Sequence, residues 1–251
     1  MIEQMVRQNQ LVKVTELMRQ FDVSDMTIRR DLSVLERRGL IRKVYGGAVL
    51  ASTSTTVDQD VNLDVRATAF IECKQAIGRR AAGLIETGDV IILDAGSTTL
   101  QLAKVMPHHQ DLVIVTNSLS IAYELTERSS SLLLTGGIVR ASTYSTVGPK
   151  TKEFLSDLWA SKLFLGATSL SLSQGLMNSN LYESEIKRVM MAAADQVIVL
   201  ADSSKFESKS YHVFAQWSEV DMLITDRRLP EDIRRGLEEQ GVDVQVCAEC
   251  G

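Results

Sequence analysis

From Asp89 onward, short aliphatic runs recur at spacings too long for hairpins and long enough for crossover helices. They lie at 90–94, 112–116, 132–135, 162–166, 197–201, 222–225 and 242–246. Runs of this kind, nearly continuous in Val, Ile and Leu, suit strands buried on both faces. The expected fold here is therefore an α/β domain with a mostly parallel sheet covered by helices. Aromatic residues are only 5% of the chain, which argues against a sandwich. In open parallel sheets ligands bind beyond the carboxyl ends of the strands, so the residues at those ends are the candidates for chemistry.

Four strand ends are polar. Asp94, Gly96, Ser97, Thr98 and Thr99 follow the first run and open a helix carrying Leu100 and Leu102. Glycine there lets a ligand approach the backbone, hydroxyls donate hydrogen bonds, and a helix N-terminus favours an anion. Thr116, Asn117 and Ser118 end the second run, Thr135, Gly136 and Gly137 the third, and Ala201, Asp202, Ser203, Ser204 and Lys205 a later one. Any one of these alone reads more readily as a capped turn. Their convergence points to a phosphate-bearing ligand, with Lys205 as a fixed positive charge. The glycine and lysine spacings of a P-loop or a dinucleotide fingerprint are missing.

The first fifty residues have a different character. They hold nine Lys or Arg against six Asp or Glu, whereas the remainder holds 18 against 26. Ile2, Met5 and Val6, then Val14, Leu17, Met18 and Phe21, repeat at helical spacing. Asp22 and Val23 form a tight connection, and Ser24 stands as the N-cap of a helix running to about Arg38. Ile28, Leu32 and Leu35 share one stripe of that helix, and Met26, Arg29, Arg30, Ser33 and Arg37 share the opposite face. A basic stripe suits either a solvated face or a polyanion. Two short helices, a turn and an Arg-bearing helix make a helix-turn-helix, whose later helix lies in the DNA major groove. Gly39 ends the helix. A short strand at 40–45 with a hairpin tip at Gly46 and Gly47 adds a wing, whose Arg42 and Lys43 would lie near the sugar-phosphate backbone.

Val23, Ser24, Thr27, Ile28, Arg29, Arg30, Asp31 and Leu32, then Leu35, Glu36, Gly39 and Leu40, then Tyr45, Gly46, Gly47 and Ala48, resemble the N-terminal signature of the DeoR family of bacterial transcriptional regulators. The resemblance implies that Ser24, Met26, Thr27, Arg29 and Arg30 face DNA and that Asp31 is structural. Met1 already stands inside the first helical pattern, where family members have several more residues, so an upstream start codon is an open alternative. The polar strand ends are similar to those of the DeoR sensor domain, whose fold is like ribose-5-phosphate isomerase and the coenzyme A transferases. This implies a sugar-phosphate or polyol-phosphate effector held by Gly96 to Thr99, Asn117, Gly136, Gly137 and Lys205. Glu183 either lines that pocket or serves the helix dipole. The expected organisation is a winged helix-turn-helix over 1–50, a polar linker over 51–65 and a sensor domain over 66–251.

The implied function is repression of a carbohydrate operon, with operator DNA and the effector as partners and a dimer or tetramer as the assembly. An isomerase-like enzyme that also binds DNA is the alternative reading. It lacks a carboxylate cluster after the run at 162–166, where Ala167, Thr168, Ser169, Leu170 and Ser171 follow, although Asp94 and Asp202 remain. A purely architectural DNA binder would leave the polar strand ends without purpose. Three cysteines, no apolar span and no apolar leader fit a cytoplasmic protein without a disulfide framework. No cofactor or metal is expected. Cys247 and Cys250 lack further zinc ligands, and His108, His109 and His212 stand in no recognisable catalytic spacing.

Overall fold

A computed structural model describes residues 5, 11–37, 41–44, 47–50, 63–106, 111–127 and 131–248, with the backbone alone at Arg29, Arg37, Arg42 and Lys43 among others. Two compact units divide the chain, 1–57 and 58–251. The first helical pattern apart from Met5, the helix end at Gly39, the hairpin tip at Gly46 and the segment 51–62 lie outside the described residues.

In the first unit, β1 (Leu11–Lys13) leads directly into α1 (Val14–Phe21), and α2 (Asp25–Arg37) follows. Asp22 adopts the left-handed conformation at φ 51° and ends α1, its amide donating to the Met18 carbonyl. Asp tolerates that conformation better than most side chains do. Ser24 then caps α2, accepting from the Thr27 amide at 3.4 Å. β2 (Ile41–Val44) and β3 (Gly47–Leu50) form the antiparallel wing, and β1 pairs with β3 on its other side. The periodicity gave no hint of β1, because three residues are too few to show a period. Gly47 is not the hairpin tip that the sequence suggested. It is a strand residue opposite Lys13, and a Cβ there would strike the Val12 carbonyl oxygen, so glycine lets β1 close onto β3. Val12, Val14, Leu17, Ile28, Leu32, Ile41 and Ala48 form the core. Asp31 is exposed, not part of the buried stripe.

In the second unit, α3 (Leu63–Thr68) and α4 (Ile71–Ala82) precede a parallel sheet. Its strands alternate with helices: β4 (Val90–Leu93), α5 (Ser97–Val105), β5 (Val113–Thr116), α6 (Leu119–Leu125) and β6 (Ser131–Leu134). A hairpin of β7 (Ile138–Arg140) and β8 (Ser145–Val147) interrupts them before α7 (Pro149–Ser156) and β9 (Ala160–Leu165). β10 (Ser169–Ser171) and β11 (Gly175–Asn178) lead to α8 (Leu181–Ala192) and β12 (Ala194–Leu200). β13 (His212–Ala215), β14 (Met222–Asp226), α9 (Glu231–Glu239) and β15 (Asp243–Cys247) complete the unit.

The seven runs read from the sequence become one sheet in the order β15-β14-β12-β9-β4-β5-β6, parallel throughout. Alternate residues feed two cores. Ile92, Val115, Leu163, Leu165, Val197 and Val199 pack against Leu155, Ile186 and Met190. Ile91, Leu93, Ile114, Phe164, Ile198 and Leu200 pack against Ile77, Leu102 and Ile121. Each such side chain contributes about 1.5–3 kcal/mol by leaving water. α4 and α5 approach so closely that a Cβ on Gly78 would lie 2.8 Å from the Gln101 carbonyl carbon and the Leu102 nitrogen. That contact fixes the helix behind the first polar strand end. No helix among the described residues is long and apolar enough to cross a membrane.

Candidate functional site

On α2 the residues expected to meet DNA divide as the periodicity requires. Ile28 and Leu32 are buried, while Ser24, Thr27 and Arg30 are exposed and Met26 is 80% exposed. Ser33 is half-buried, and the side chains of Arg29, Arg37, Arg42 and Lys43 lie outside the description.

At the carboxyl ends of the sheet the polar residues interlock. Asp94 is buried, accepts from the Gly166 amide at 3.0 Å and pairs with the Lys187 ammonium, which also donates to the Gly166 carbonyl at 2.9 Å. Burial pushes the Asp94 carboxyl up, against the opposing pull of Lys187 and the amide. Thr99 ties the turn together by donating to the carbonyls of Asp94, at 2.7 Å, and Gly96, at 3.0 Å. Thr116 donates to the Leu93 carbonyl, and its hydroxyl accepts from the Ser118 amide. Asn117 accepts from the Ala95 amide and donates to the Thr146 carbonyl, and Ser118 caps α6. Thr116, Asn117, Ser118 and Thr99 thus shape the turn from inside. Ser97 and Thr98 make no side-chain hydrogen bond among the described residues.

The third strand end joins through Thr135, whose hydroxyl meets that of Thr146 at 2.6 Å, and Gly136, whose carbonyl accepts from Thr151 at 2.6 Å. Gly137 is there for its backbone, with φ at 134° and its absent Cβ replaced by Thr151. Glu183, in the first turn of α8, accepts from Arg140 at 3.2 Å, Thr143 at 2.7 Å and Asn178 at 2.9 Å. Burial raises its pKa, but the Thr143 hydroxyl and the Lys187 and Arg140 charges outweigh that and hold the carboxyl below its usual range. Glu183 therefore does far more than meet a helix dipole.

Arg66 and Lys74 reach this end from α3 and α4, and the sequence reading passed over both. The Lys74 ammonium is buried and donates to the carbonyls of Arg66 at 2.5 Å and Ala69 at 2.6 Å. Burial lowers its pKa to about 8, the Asp202 carboxylate opposing the shift and the nearby Lys205 and Arg66 charges adding to it. Ser204 donates to one Asp202 oxygen, and the other, Oδ2, is buried without a hydrogen-bond partner. A buried acceptor in this state is costly unless a donor, from water or a ligand, completes it. Arg66, Lys74, Arg140, Lys187 and Lys205 thus share a neighbourhood with Asp94, Glu183 and Asp202, an excess of two positive charges that suits an anion. The signal in the sequence was a charge on an apolar stripe: Lys74 precedes Ile77, Gly78 and Ala81 at helical spacing, as Lys187 precedes Met190.

Two open clefts lie elsewhere among the described residues. One of about 540 Å³ runs between Arg188, Met191, Phe214 and Gln216, and one of about 400 Å³ between Leu100, Lys104, Tyr123 and Tyr144. Neither holds an expected effector residue. Among the described residues no group of three His, Cys, Asp or Glu side chains is placed to hold a metal.

The DeoR-like helix-turn-helix domain family matches residues 1–54, and the DeoR C-terminal sensor domain family matches residues 69–227. The HTH-type transcriptional regulator GlpR of Haloferax volcanii is 38% identical over 88% of this chain and 86% of its own length. GolR of Listeria innocua, another HTH-type transcriptional regulator, is 35% identical over 95% and 93%. The lactose phosphotransferase system repressor of Staphylococcus epidermidis is 33% identical over 90% and 89%. A ribose-5-phosphate isomerase in complex with phospho-erythronic acid resembles it in structure with a TM-score of 0.39, at 19% identity over 53% of this chain and 52% of that one. With both domain families matched and relatives of this identity spanning nearly the whole length, the chain belongs to the DeoR family of transcriptional regulators.

Proposed function

We propose that this regulator represses a carbohydrate or polyol operon from the cytoplasm, as a dimer or tetramer whose grip on operator DNA is set by a phosphorylated sugar. The winged unit, over about 1–50, is the DNA reader and the unit from about 66 onward the sensor, joined by a polar linker. Ser24, Met26, Thr27, Arg29, Arg30, Ser33 and Arg37 face the major groove, and Arg42 and Lys43 face phosphates.

The observation that carries the sensor reading is the net positive, buried crevice at the strand ends, with the Asp202 oxygen left over beside Lys74. A phosphate dianion answers the cations, the hydroxyls of Ser97 and Thr98 and the N-terminus of α5, while a sugar hydroxyl answers Asp202. Catalysis has less support. Asp94 and Glu183 are both engaged by cations, and a general base must be free to take a proton.

The test is fluorescence anisotropy on duplexes from the protein's own promoter, with a thermal-shift screen of sugar and polyol phosphates. Arg30→Ala should weaken DNA binding and keep the ligand shift. Thr98→Val with Lys205→Ala should keep DNA binding and lose the ligand shift. Equal damage to both activities by both sets of changes, or turnover of a sugar phosphate at an enzyme-like rate, would refute the reading.

A further inference from the structure

The two edges of the sheet are built differently. β15 carries the exposed carboxylate of Asp243, hydrogen-bonded to Gln245, as edge strands of monomers do to repel other strands. β6 has no such guard. Its outer side pairs with no strand among the described residues, and from Ser131 to Val139 the sequence holds no charge at all. Leu133 and Leu134 are 37% and 41% exposed, and Ile138 and Val139, on the hairpin that continues from the edge, are 64% and 56% exposed. Tyr123 on the flanking α6 is 87% exposed and shares a cleft with Tyr144.

We infer that the β6 edge and the Ile138–Val139 corner form the contact between two copies of this chain. Three features select a second copy over another partner. An uncharged strand edge offers no charge pattern for a foreign surface to read, whereas it matches itself when two copies run antiparallel about a two-fold axis. Pairing β6 to β15 of the next copy is head-to-tail, ending in a ring or running on as a filament, and would set Asp243 against an apolar strand. Pairing β6 to β6 closes. Tyr123, Ile138 and Val139, each more than half exposed, and Leu133, Leu134 and Tyr144, each more than a third exposed, supply the apolar centre that a standard interface of about 800 Å² per partner needs. The choice of a second copy agrees with the proposed need for two operator half-sites and rests on that reading only to this extent.

Sedimentation velocity on the full chain, without DNA or effector, tests the inference across a concentration series. Wild type should sediment as a dimer or larger. Leu134→Lys and Ile138→Lys, each at an exposed position, should raise the dissociation constant at least about tenfold, the loss expected of a central interface residue. Their far-UV circular dichroism should be unchanged. Trp159→Ala, on another exposed surface, should leave the mass unaltered. A monomeric wild type, or a dimer that survives both edge substitutions, would overturn the inference. A protein that dimerises through this edge and ignores promoter DNA would instead overturn the proposed function.

Discussion

Lys74 shows how one side chain joins the stability of the fold to its ligand. Its pKa in the folded chain is lowered to about 8 from 10.5, first by burial. For a cation lowered in this way, the stability it adds is present above the unfolded value and is lost as pH falls through the folded one. Melting temperature, compared with Lys74→Met, should therefore rise from pH 7 to 9 in the unliganded protein, as calorimetry would show. Phosphate binding requires the charged form, so affinity by titration calorimetry should fall over the same interval, approaching tenfold per pH unit above 8. Lys187 behaves differently, since its partner Asp94 is buried with it. Lys187→Met strands that carboxylate and should cost about 3 kcal/mol in urea unfolding at neutral pH. The loss should shrink as the solution is made more acidic, because burial already pushes the Asp94 carboxyl up and favours its neutral form. Neither lysine was legible as a site residue, because helical spacing places both on a buried stripe without saying what faces them. The turn 94–99 was legible, because its polar groups are consecutive.

At the scale of elements, the helices α2, α4 and α5 carry the residues of both proposed activities. Ser24 was readable as a cap from its place before an amphipathic run, and the hydrogen bond from the Thr27 amide bears this out. Ser24→Ala should cost about 1 kcal/mol in the winged unit and lower operator affinity accordingly, while the ligand-induced thermal shift stays as in wild type. Gly78 is invisible to such reading, since a glycine within a helix pattern only lowers helix propensity. Its role comes from the backbone of α5 lying 2.8 Å from where a Cβ would stand. Gly78→Ala should separate α4, which carries Lys74, from α5, which carries Ser97 and Thr98. We expect a loss of about 1–3 kcal/mol in thermal unfolding and at least a tenfold weaker effector. β1 escaped notice for a related reason: it exists because β3 offers an edge and Gly47 leaves room, not because three residues favour a strand.

For the whole molecule, the proposed control requires that effector and operator bind unequally to two conformations, with a coupling of about 1–3 kcal/mol. Operator affinity measured with and without effector should differ by about 5- to 150-fold, and by reciprocity effector affinity should change by the same factor when DNA is bound. Operator binding should also weaken steeply with salt, and less steeply in Arg42→Ala with Lys43→Ala, if those side chains neutralise phosphates. The sequence by itself determined the seven sheet strands along the chain, their parallel sheet, the capped α2 and the polar strand ends, because each is written in neighbouring residues whose spacing matches a strand, a helix or a turn. Only the tertiary structure decided which charges share the crevice and which sheet edge pairs with no strand among the described residues. Arg66, Lys74, Arg140 and Lys187 are far apart along the chain, and their fields act through space once packing has excluded water between them.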